Sequence, residues 1–526
     1  MSKLSHKSIT IVTYQLHTNR VSVYVINVVV LRCLVYDDEE DYIFGEDSYQ
    51  NVDKIEEVPI IQEKTWWDVA LESFLIIYLL ITAANNGMIM GYSAVLLPQL
   101  QATNGTLHID DEMGSWIASI NSASIPVGAL LSGIFMNWVG RKGALLIYVA
   151  MVALGWFFIV FAQNHMVVLI GRFIGGVATS LGMVPGQVYI AEISHHSKRG
   201  SYGSISFIGL SFGILVIYIL GSILPWRLVA GLSIVIPVVS AAMLLYLPES
   251  PVWYIRKEKI DKARKACLWF RRNYNEAHAE MNELINRINS EKLEKEKTTQ
   301  TIFSILCSRQ VLKPFIIMNI FIIFQSLSGV YLFVFYAVDI ISEIGDTGMN
   351  HFLLGVITAA IRLLFTIIAT VLFAFIGRRP MAISSALGTS LSAFVLGTML
   401  YLCKSPNKYI LASTLLSYIS ANTTGLFILP GMMLGEIYPA KVRALSGSIS
   451  FSLFSLCTFV AAKMYPLLKQ TFKFYGLFWS FSLMSLLAAI YLYAALPETK
   501  GKTLHDIEDY FLQDNLLWIT RNKKSK

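Results

Sequence analysis

The chain has 526 residues, of which 55% are hydrophobic and 15% are charged, and its net charge is +7. A soluble globular chain carries roughly a quarter charged residues, so this composition excludes an ordinary water-soluble protein. The apolar residues fall in blocks of about 20 or more, long enough to cross a bilayer as helices. The basic residues sit mainly in short loops and one hydrophilic segment, which indicates membrane topology and argues against nucleic-acid binding. The sequence therefore predicts an all-α membrane protein.

The segment before the first apolar block, residues 1–67, lacks the features of a signal peptide. Its run Val21–Val35 is short, Arg32 interrupts it, and an acidic stretch without a cleavage pattern follows. We interpret this segment as a cytoplasmic tail, with a sequence extension at residues 1–36 as the alternative. The five cysteines have no C-x-x-C spacing, so we expect neither a metal site nor a disulfide framework. No cofactor is expected.

Twelve apolar blocks follow, six before a charged insert and six after it. These predicted spans 1 to 12 cover residues 69–97, 113–138, 144–162, 166–190, 201–222, 226–247, 311–341, 352–376, 380–402, 409–435, 444–467 and 474–496. The predicted domains are a tail (1–67), a six-helix half (68–248), an insert (249–310), a second six-helix half (311–497) and a C-terminal tail (498–526). The composition of the insert predicts a small helical bundle, with a solvated charged linker as the alternative.

The basic residues of the loops predict the orientation of the chain. They lie between spans 2 and 3, 4 and 5, 8 and 9, and 10 and 11, at Arg141, Lys142, Lys198, Arg199, Arg378, Arg379, Lys441 and Arg443. If the spans alternate in direction, these loops and the insert share one side, which the positive-inside rule makes cytoplasmic. Both termini are then cytoplasmic as well.

The two halves repeat three short patterns in the same order. The matching pairs are Gly140-Arg141-Lys142 with Gly377-Arg378-Arg379, Glu192 and Arg199 with Glu436 and Arg443, and Pro248-Glu249-Ser250 with Pro497-Glu498-Thr499. Two six-helix repeats with a substrate site between them are the facilitator arrangement. We interpret these acids and bases as a cytoplasmic gate that pairs across the halves. The alternative is static anchoring, because exposed ion pairs contribute only about 0–1 kcal/mol.

These patterns resemble the signatures of the sugar porters of the major facilitator superfamily, and insect facilitated trehalose transporters in particular. The remaining matching motifs are Arg172-x-x-Gly175-Gly176, Tyr189-x-x-Glu192, Pro251-x-Trp253 and Lys500-Gly501-Lys502-Thr503. The resemblance covers about residues 68–510. It implies the twelve-helix major facilitator fold and transport of a sugar, trehalose or a hexose, at the plasma membrane. A monomer suffices for this function in such a protein.

By the same resemblance, several positions of the substrate site depart from the family pattern. The family's span 5 glutamine falls at Phe207, its span 8 asparagine at Arg362, and its span 10 tryptophan at Gly431. The family's span 7 pattern Q-Q-L-S-G-x-N becomes Gln325-Ser326-Leu327-Ser328-Gly329-Val330-Tyr331 here, so only the first glutamine of its amide ligands remains. The candidate substrate residues are therefore Gln325, Ser326, Tyr331, Phe207, Arg362 and Gly431. Transport of another polar solute, or a sensor or scaffold without transport, are the alternatives.

Three further expectations concern single positions. Arg362 lies near the middle of span 8, where an arginine costs about 2.5–3.5 kcal/mol, so it faces the substrate cavity or backbone carbonyls. Asn104 begins a glycosylation sequon in the first external loop. Ser93 follows Gly91-Tyr92 where proton-linked sugar porters carry an aspartate, which implies facilitated transport.

No enzyme motif is placed credibly, and no P-loop is present.

Overall fold

The computed structural model describes residues 66–102, 107–193, 199–271, 273–297, 308–344, 350–402, 407–439, 442–502 and 504–512. Within these residues every regular element is a helix. The predicted tail up to residue 65, the sequon at Asn104 and the side chain of Arg199 lie outside the described part of the structure.

The first half consists of six helical spans. They are Trp66–Gln101, Asp111–Trp138, Gly140–Val160, His165–Ile193, Arg199–Ile223, and the pair Trp226–Ser233 and Val235–Tyr246. The last pair forms one span, because only Ile234 separates the two helices and its backbone stays helical. One residue, Leu247, separates Tyr246 from the Pro248-Glu249-Ser250 motif.

The second half contains the matching spans, two of which are broken. Span 7 consists of Arg309–Leu327 and Leu332–Ile344, spans 8 and 9 are His351–Phe375 and Arg378–Leu402, and span 10 consists of Lys408–Thr424 and Leu429–Ile437. A single helix, Arg443–Ala495, covers both spans 11 and 12. A short helix, Leu504–Leu512, follows in the C-terminal segment.

The helix Arg443–Ala495 is too long for one crossing of a bilayer. Its 53 residues would extend about 80 Å if straight, against a hydrocarbon core of about 30 Å. The backbone of Lys473 leaves the helical region, with φ 56° and ψ 176°, so two helices meet there. The loop expected before residue 474 is in fact mostly helical, and the reversal is confined to its last residue.

The described helices account for a multi-pass membrane protein. Among the described residues, ten helices are long and apolar enough to cross a membrane. The break at Lys473 divides the last of them into two, and the broken span 10 supplies one more crossing. Large apolar side chains face outward along these helices: Leu130, Ile223 and Phe375 expose 77%, 76% and 75% of their surface. A lipid environment accommodates such exposure.

Small residues allow the spans of one half to pack closely. A methyl group on Gly213 would lie 1.9 Å from the carbonyl oxygen of Ala84, and one on Gly209 would lie 2.6 Å from that of Leu80. Span 5 therefore packs backbone to backbone against span 1, as expected for the Gly209-x-x-x-Gly213 spacing.

The insert contains three helices, Pro251–Arg256, Ile260–Arg271 and Tyr274–Lys297. They share a small apolar core that includes Ile255, Cys267 and Met281. An ion pair between Arg271 and Glu280, at 2.8 Å, joins the second and third helices. The insert thus packs as a bundle within its described residues, and the alternative of an unstructured charged linker is wrong there. We call the end of the spans that carries it the insert side.

Candidate functional site

The loop between spans 2 and 3 wraps around the carboxylate of Glu249. Gly140 has φ +90°, and a methyl group there would lie 2.3 Å from a Glu249 oxygen, so this position requires glycine. The next two backbone N–H groups, of Arg141 and Lys142, donate to Glu249 at 3.0 Å each. The backbone N–H of Ser250 donates to it as well, at 2.8 Å. Glu249, which follows span 6, is thereby held at the start of span 3.

Arg141 connects this loop to the end of span 4. Its Nε and Nη2 atoms donate to the two carboxylate oxygens of Glu192 at 2.9 Å and 2.8 Å. The hydroxyl of Ser250 also donates to Glu192. Two parallel charge-assisted hydrogen bonds fix both the distance and the plane of such a pair. We call Arg141, Lys142, Glu192, Glu249 and Ser250 the first cluster.

The second half builds the same arrangement. Glu498 accepts the backbone N–H groups of Arg378 and Arg379 at 2.9 Å and 3.2 Å. Arg378 pairs with Glu436 at 3.1 Å, and the hydroxyl of Thr499 donates to Glu436 at 2.5 Å. We call Arg378, Arg379, Glu436, Glu498 and Thr499 the second cluster. The sequence repeat is therefore a structural repeat.

Both ion pairs join residues of the same half. The expectation that these acids and bases pair across the halves is therefore wrong for these contacts. Lys142 and Arg379 extend each cluster to span ends, donating to the carbonyl oxygens of Leu247 at 2.6 Å and Tyr493 at 2.5 Å. Arg443, predicted as a gate residue, donates to the carbonyl oxygen of Tyr438 at 3.2 Å. Each cluster joins the insert-side ends of the spans in its own half.

The first cluster also affects the insert. Burial, and then the negative charge of Glu249, raise the pKa of the Tyr254 hydroxyl above its usual range. Tyr254 lies in the first insert helix and packs against the core of the insert. The insert is thus connected electrostatically to the end of span 6.

The two broken spans of the second half contact each other at their breaks. The break in span 7 includes Gly329 at φ +81°, and a methyl group there would lie 2.8 Å from the hydroxyl of Tyr418. The amide nitrogen of Gln325 donates to the carbonyl oxygens of Leu426 at 2.6 Å and Phe427 at 3.3 Å, in the break of span 10. Gln325 therefore joins the two breaks, as an amide at this position can when it stabilises helix packing.

Two other candidate substrate residues, Ser326 and Tyr331, already have partners within the protein. The Ser326 hydroxyl donates to its own helix, to the carbonyl oxygen of Ile322 at 3.0 Å. The Tyr331 ring lies against Phe427 and Phe454, with centroids 5.6 Å and 4.9 Å away. These two side chains are therefore occupied by packing and local hydrogen bonds.

Phe207 joins the halves where the family pattern has a polar side chain. Its ring lies 6.0 Å from that of Phe427, and a methyl group on Gly431 would lie 2.7 Å from it. Phe207 thus fills the space that the glycine of span 10 leaves.

Arg362 lies in the middle of span 8 and is 3% exposed. Its guanidinium carbon lies 5.1 Å from the centroid of the Phe427 ring. Its Nη1 atom is buried and has no hydrogen-bond partner among the described residues. Of the two alternatives left open by the sequence, a hydrogen bond to a backbone carbonyl is not made by this atom among the described residues. Arg362, Tyr331 and Phe207 all lie around Phe427, and Gly431 lies against Phe207.

Comparison with known proteins places this arrangement in a family. A family model described as sugar (and other) transporter matches residues 69–511. The chain belongs to this family. The match runs from the first span to the C-terminal helix, so both clusters and both broken spans fall inside the matched region.

Several curated relatives are facilitated trehalose transporters. Tret1 of Apis mellifera ligustica is 29% identical over 81% of this chain and 86% of its own length. Tret1 of Polypedilum vanderplanki is 27% identical over 80% of this chain and 84% of its own length. Tret1 of Drosophila mojavensis is 29% identical, and the chain matches 49% of its length, so it spans about half of that relative.

Solved structures identify the fold. The inward open conformation of the xylose transporter XylE from E. coli has a TM-score of 0.67 at 20% identity, covering 82% of this chain and 98% of that chain. The proton:xylose symporter XylE bound to 6-bromo-6-deoxy-D-glucose has a TM-score of 0.68 at 21% identity, covering 84% and 99%. This likeness shows the major facilitator fold, which confirms the fold expected from the sequence.

Two contacts of this sugar transporter family member did not follow from its sequence. Arg172 of span 4 is 1% exposed and donates to Ser93 Oγ at 2.5 Å, to the Ile89 carbonyl oxygen at 2.5 Å and to the Ile117 carbonyl oxygen at 3.3 Å. The motif Arg172-x-x-Gly175-Gly176 contains this arginine but gives no indication of Ser93, which is 79 residues away.

The second contact joins the two halves on the side opposite the insert. Lys463 Nζ donates to Ser115 Oγ at 2.9 Å and lies 4.1 Å from the centroid of the Trp116 ring. Trp116 also packs against Phe459, at 6.3 Å. The only sequence signal was a lysine inside an apolar span. This contact closes spans 2 and 11 together at that side.

Proposed function

We propose that this protein moves a sugar across the plasma membrane by alternating access and facilitated diffusion, with trehalose or a hexose as substrate. The observation that carries the proposal is the pair of matching clusters, one at the insert-side end of each six-helix half. Two bodies that are each held rigid at one end, and that meet at broken helices near the midplane, suit a rocking mechanism. The names of the curated relatives support trehalose as the first solute to test.

In this mechanism each cluster keeps its half rigid while the halves separate and close. The gate residues are Arg141, Lys142, Glu192, Arg199, Glu249, Arg378, Arg379, Glu436, Arg443 and Glu498. The ion pairs Arg141–Glu192 and Arg378–Glu436 each lie within one half, so they remain paired while the halves move against each other. The contact of Lys463 with Trp116 and Ser115 then belongs to the state that is closed opposite the insert.

Facilitated transport is supported by the surroundings of Arg172. Proton coupling needs a titratable group that faces each side in turn, and a buried carboxylate is the usual choice. Here the partner of Arg172 is the hydroxyl of Ser93, which does not titrate in the physiological range. Asp339 lies near the far end of span 7, where it accepts from Tyr465 at 2.8 Å and pairs with Lys469 at 3.4 Å.

The proposed substrate contacts are Gln325, Ser326, Tyr331, Phe207, Arg362 and Gly431, which lie around the breaks of spans 7 and 10. We place the insert and both termini in the cytoplasm and the Asn104 sequon outside, where it is available for glycosylation. The protein acts as a monomer in the bilayer. It is not an enzyme, and it does not bind nucleic acid.

A second candidate function is a sensor or scaffold that does not transport, or a carrier of a different polar solute. The observation that favours it is the commitment of Gln325 to backbone carbonyls. Sugar recognition needs several free donors and acceptors, because each buried polar group left unpaired costs about 1–3 kcal/mol.

Uptake of radiolabelled trehalose and glucose into oocytes separates the two candidates. The transporter predicts saturable uptake above that of water-injected cells, at a level that follows surface expression. Surface-expressed protein without uptake of either sugar contradicts sugar transport and leaves the second candidate. The matched control is the exposed residue Glu283 on the insert, since Glu283→Ala should transport like the wild type.

A further inference from the structure

Arg362 is a buried cation for which the described structure provides no anionic partner. It lies in the middle of an apolar helix, it is 3% exposed, and no described carboxylate forms an ion pair with it. Its Nη1 atom has no hydrogen bond. A guanidinium in such a place is normally stabilised by an anion or by several acceptors, because its desolvation is otherwise uncompensated.

Arg172 shows how this fold satisfies a buried arginine that has a structural role. Its three nitrogen atoms each donate to an acceptor in span 1 or span 2, at Ile89, Ser93 and Ile117. Both arginines are almost fully buried, so the difference between them is not one of exposure. Of these two buried arginines, only Arg362 has unused hydrogen-bonding capacity among the described residues.

The surroundings of Arg362 stabilise its positive charge, although they contain no carboxylate partner among the described residues. Its guanidinium lies over the Phe427 ring, and Tyr218, Tyr331 and Tyr418 are close enough to interact with it electrostatically. The Tyr218 and Tyr418 hydroxyls donate elsewhere, to the carbonyl oxygens of Val334 at 2.9 Å and Ser328 at 2.6 Å. Tyr218 belongs to the first half and the other three residues to the second, so Arg362 lies where the halves meet.

We propose that Arg362 binds an anionic group of the substrate, so that the preferred solute is a sugar acid such as a hexuronate. A carboxylate accepts two parallel N–H donors from a guanidinium, and this pairing is both strong and directional. The inference rests on the proposed function, because it assumes that the region between the halves receives a sugar. It adds that a negative charge on the sugar favours binding and a positive charge opposes it.

The test is competition between sugars of one size and different charge. Purified protein in liposomes is given radiolabelled glucose or, in parallel, radiolabelled glucuronate, with unlabelled glucose, glucuronate or glucosamine as competitors. We expect glucuronate to inhibit at about tenfold lower concentration than glucose, as one charge-assisted contact predicts, and glucosamine to inhibit least. Arg362→Gln should abolish this order, and Arg362→Lys should retain part of it. The matched control is Arg227→Gln, which removes an exposed arginine at the start of span 6.

The outcomes separate the inference from the proposed function. If glucose is transported but glucuronate competes no better than glucose in the wild type, the role of Arg362 is contradicted and sugar transport stands. If the order is unchanged in Arg362→Gln, the same conclusion follows. If the substituted proteins do not fold, the wild-type order alone decides. If none of the three sugars is transported or competes, both proposals are contradicted.

Discussion

At the scale of single residues, the two clusters depend on glycines that leave room for a carboxylate. A methyl group on Gly140 would lie 2.3 Å from Glu249, and one on Gly377 would lie 2.1 Å from Glu498. Each carboxylate can therefore reach the backbone N–H groups that follow the glycine. A side chain at either position would push the carboxylate away from these donors.

Substitution of Gly140 tests this geometry. Gly140→Ala should lower the free energy of unfolding by about 1–3 kcal/mol, because alanine is strained at φ +90° and displaces Glu249. The matched control is Gly203→Ala, since a methyl group there meets nothing within 4 Å. Thermal unfolding in detergent measures both. Equal melting temperatures for the two variants would contradict the role of Gly140.

The residue scale also shows what could be predicted from the sequence. The repeated motifs contain the members of both clusters, but they also contain Arg443, which donates to the carbonyl oxygen of Tyr438 instead. They could not show that Arg141 pairs with Glu192 within one half, because pairing depends on how spans 3 and 4 pack. For the same reason the sequence left open whether Arg362 bonds to carbonyls.

At the scale of elements, apolar length predicted where the spans lie but not where they break. Spans 7 and 10 were each predicted as one continuous block, and the structure interrupts them at Ser328–Tyr331 and at residues 425–428. Gln325 stabilises these breaks through carbonyls about a hundred residues away, which no local pattern contains. Conversely, residues 468–473 were expected to form a loop between two spans, but the helix continues through them to Lys473.

The insert provides an element-scale prediction. Cys267 is 1% exposed in the insert core, and burial, together with the charge of Glu280, raises the pKa of its thiol to about 12. Only the thiolate reacts with maleimide, so labelling should be very slow at neutral pH and rise as the pH approaches this pKa. Since the folded bundle favours the neutral thiol, its stability should be constant below the ordinary thiol pKa of 9.0 and fall above it.

The measurement uses a variant in which Cys267 is the single cysteine, labelled in the folded state and again in denaturant. The control places the single cysteine at exposed Glu283 on the neighbouring helix, as Glu283→Cys. Rapid labelling of folded Cys267 at neutral pH, at the rate of the control, would show that the insert helices do not pack together in solution.

At the scale of the whole molecule, the fold makes the two halves similar but not identical. In the first cluster the side chains of Arg141 and Glu192 are 8% and 14% exposed, whereas Arg378 and Glu436 in the second are 17% and 25% exposed. Removing one partner of an ion pair costs more when the remaining charge is more deeply buried. The stability of the first half should therefore depend more on its cluster than the stability of the second half does.

This asymmetry predicts an order of effects. Glu192→Ala should lower thermal stability more than Glu436→Ala, and both should slow sugar exchange by about tenfold, since each half then moves less rigidly. The matched conservative variants are Glu192→Gln and Glu436→Gln, which keep a hydrogen bond and should recover part of the loss. Wild-type exchange in both alanine variants would contradict the gate assignment.

The central claim is facilitated sugar transport, and the steady-state distribution of sugar in proteoliposomes tests it most directly. Purified protein is reconstituted, radiolabelled trehalose or glucose is added outside, and the internal concentration is followed with and without an imposed pH gradient. The account predicts that the internal sugar rises to the external concentration and stops there in both cases, because Ser93 offers no proton site beside Arg172. Accumulation above the external concentration that collapses when a protonophore is added, or no entry of either sugar, would contradict it.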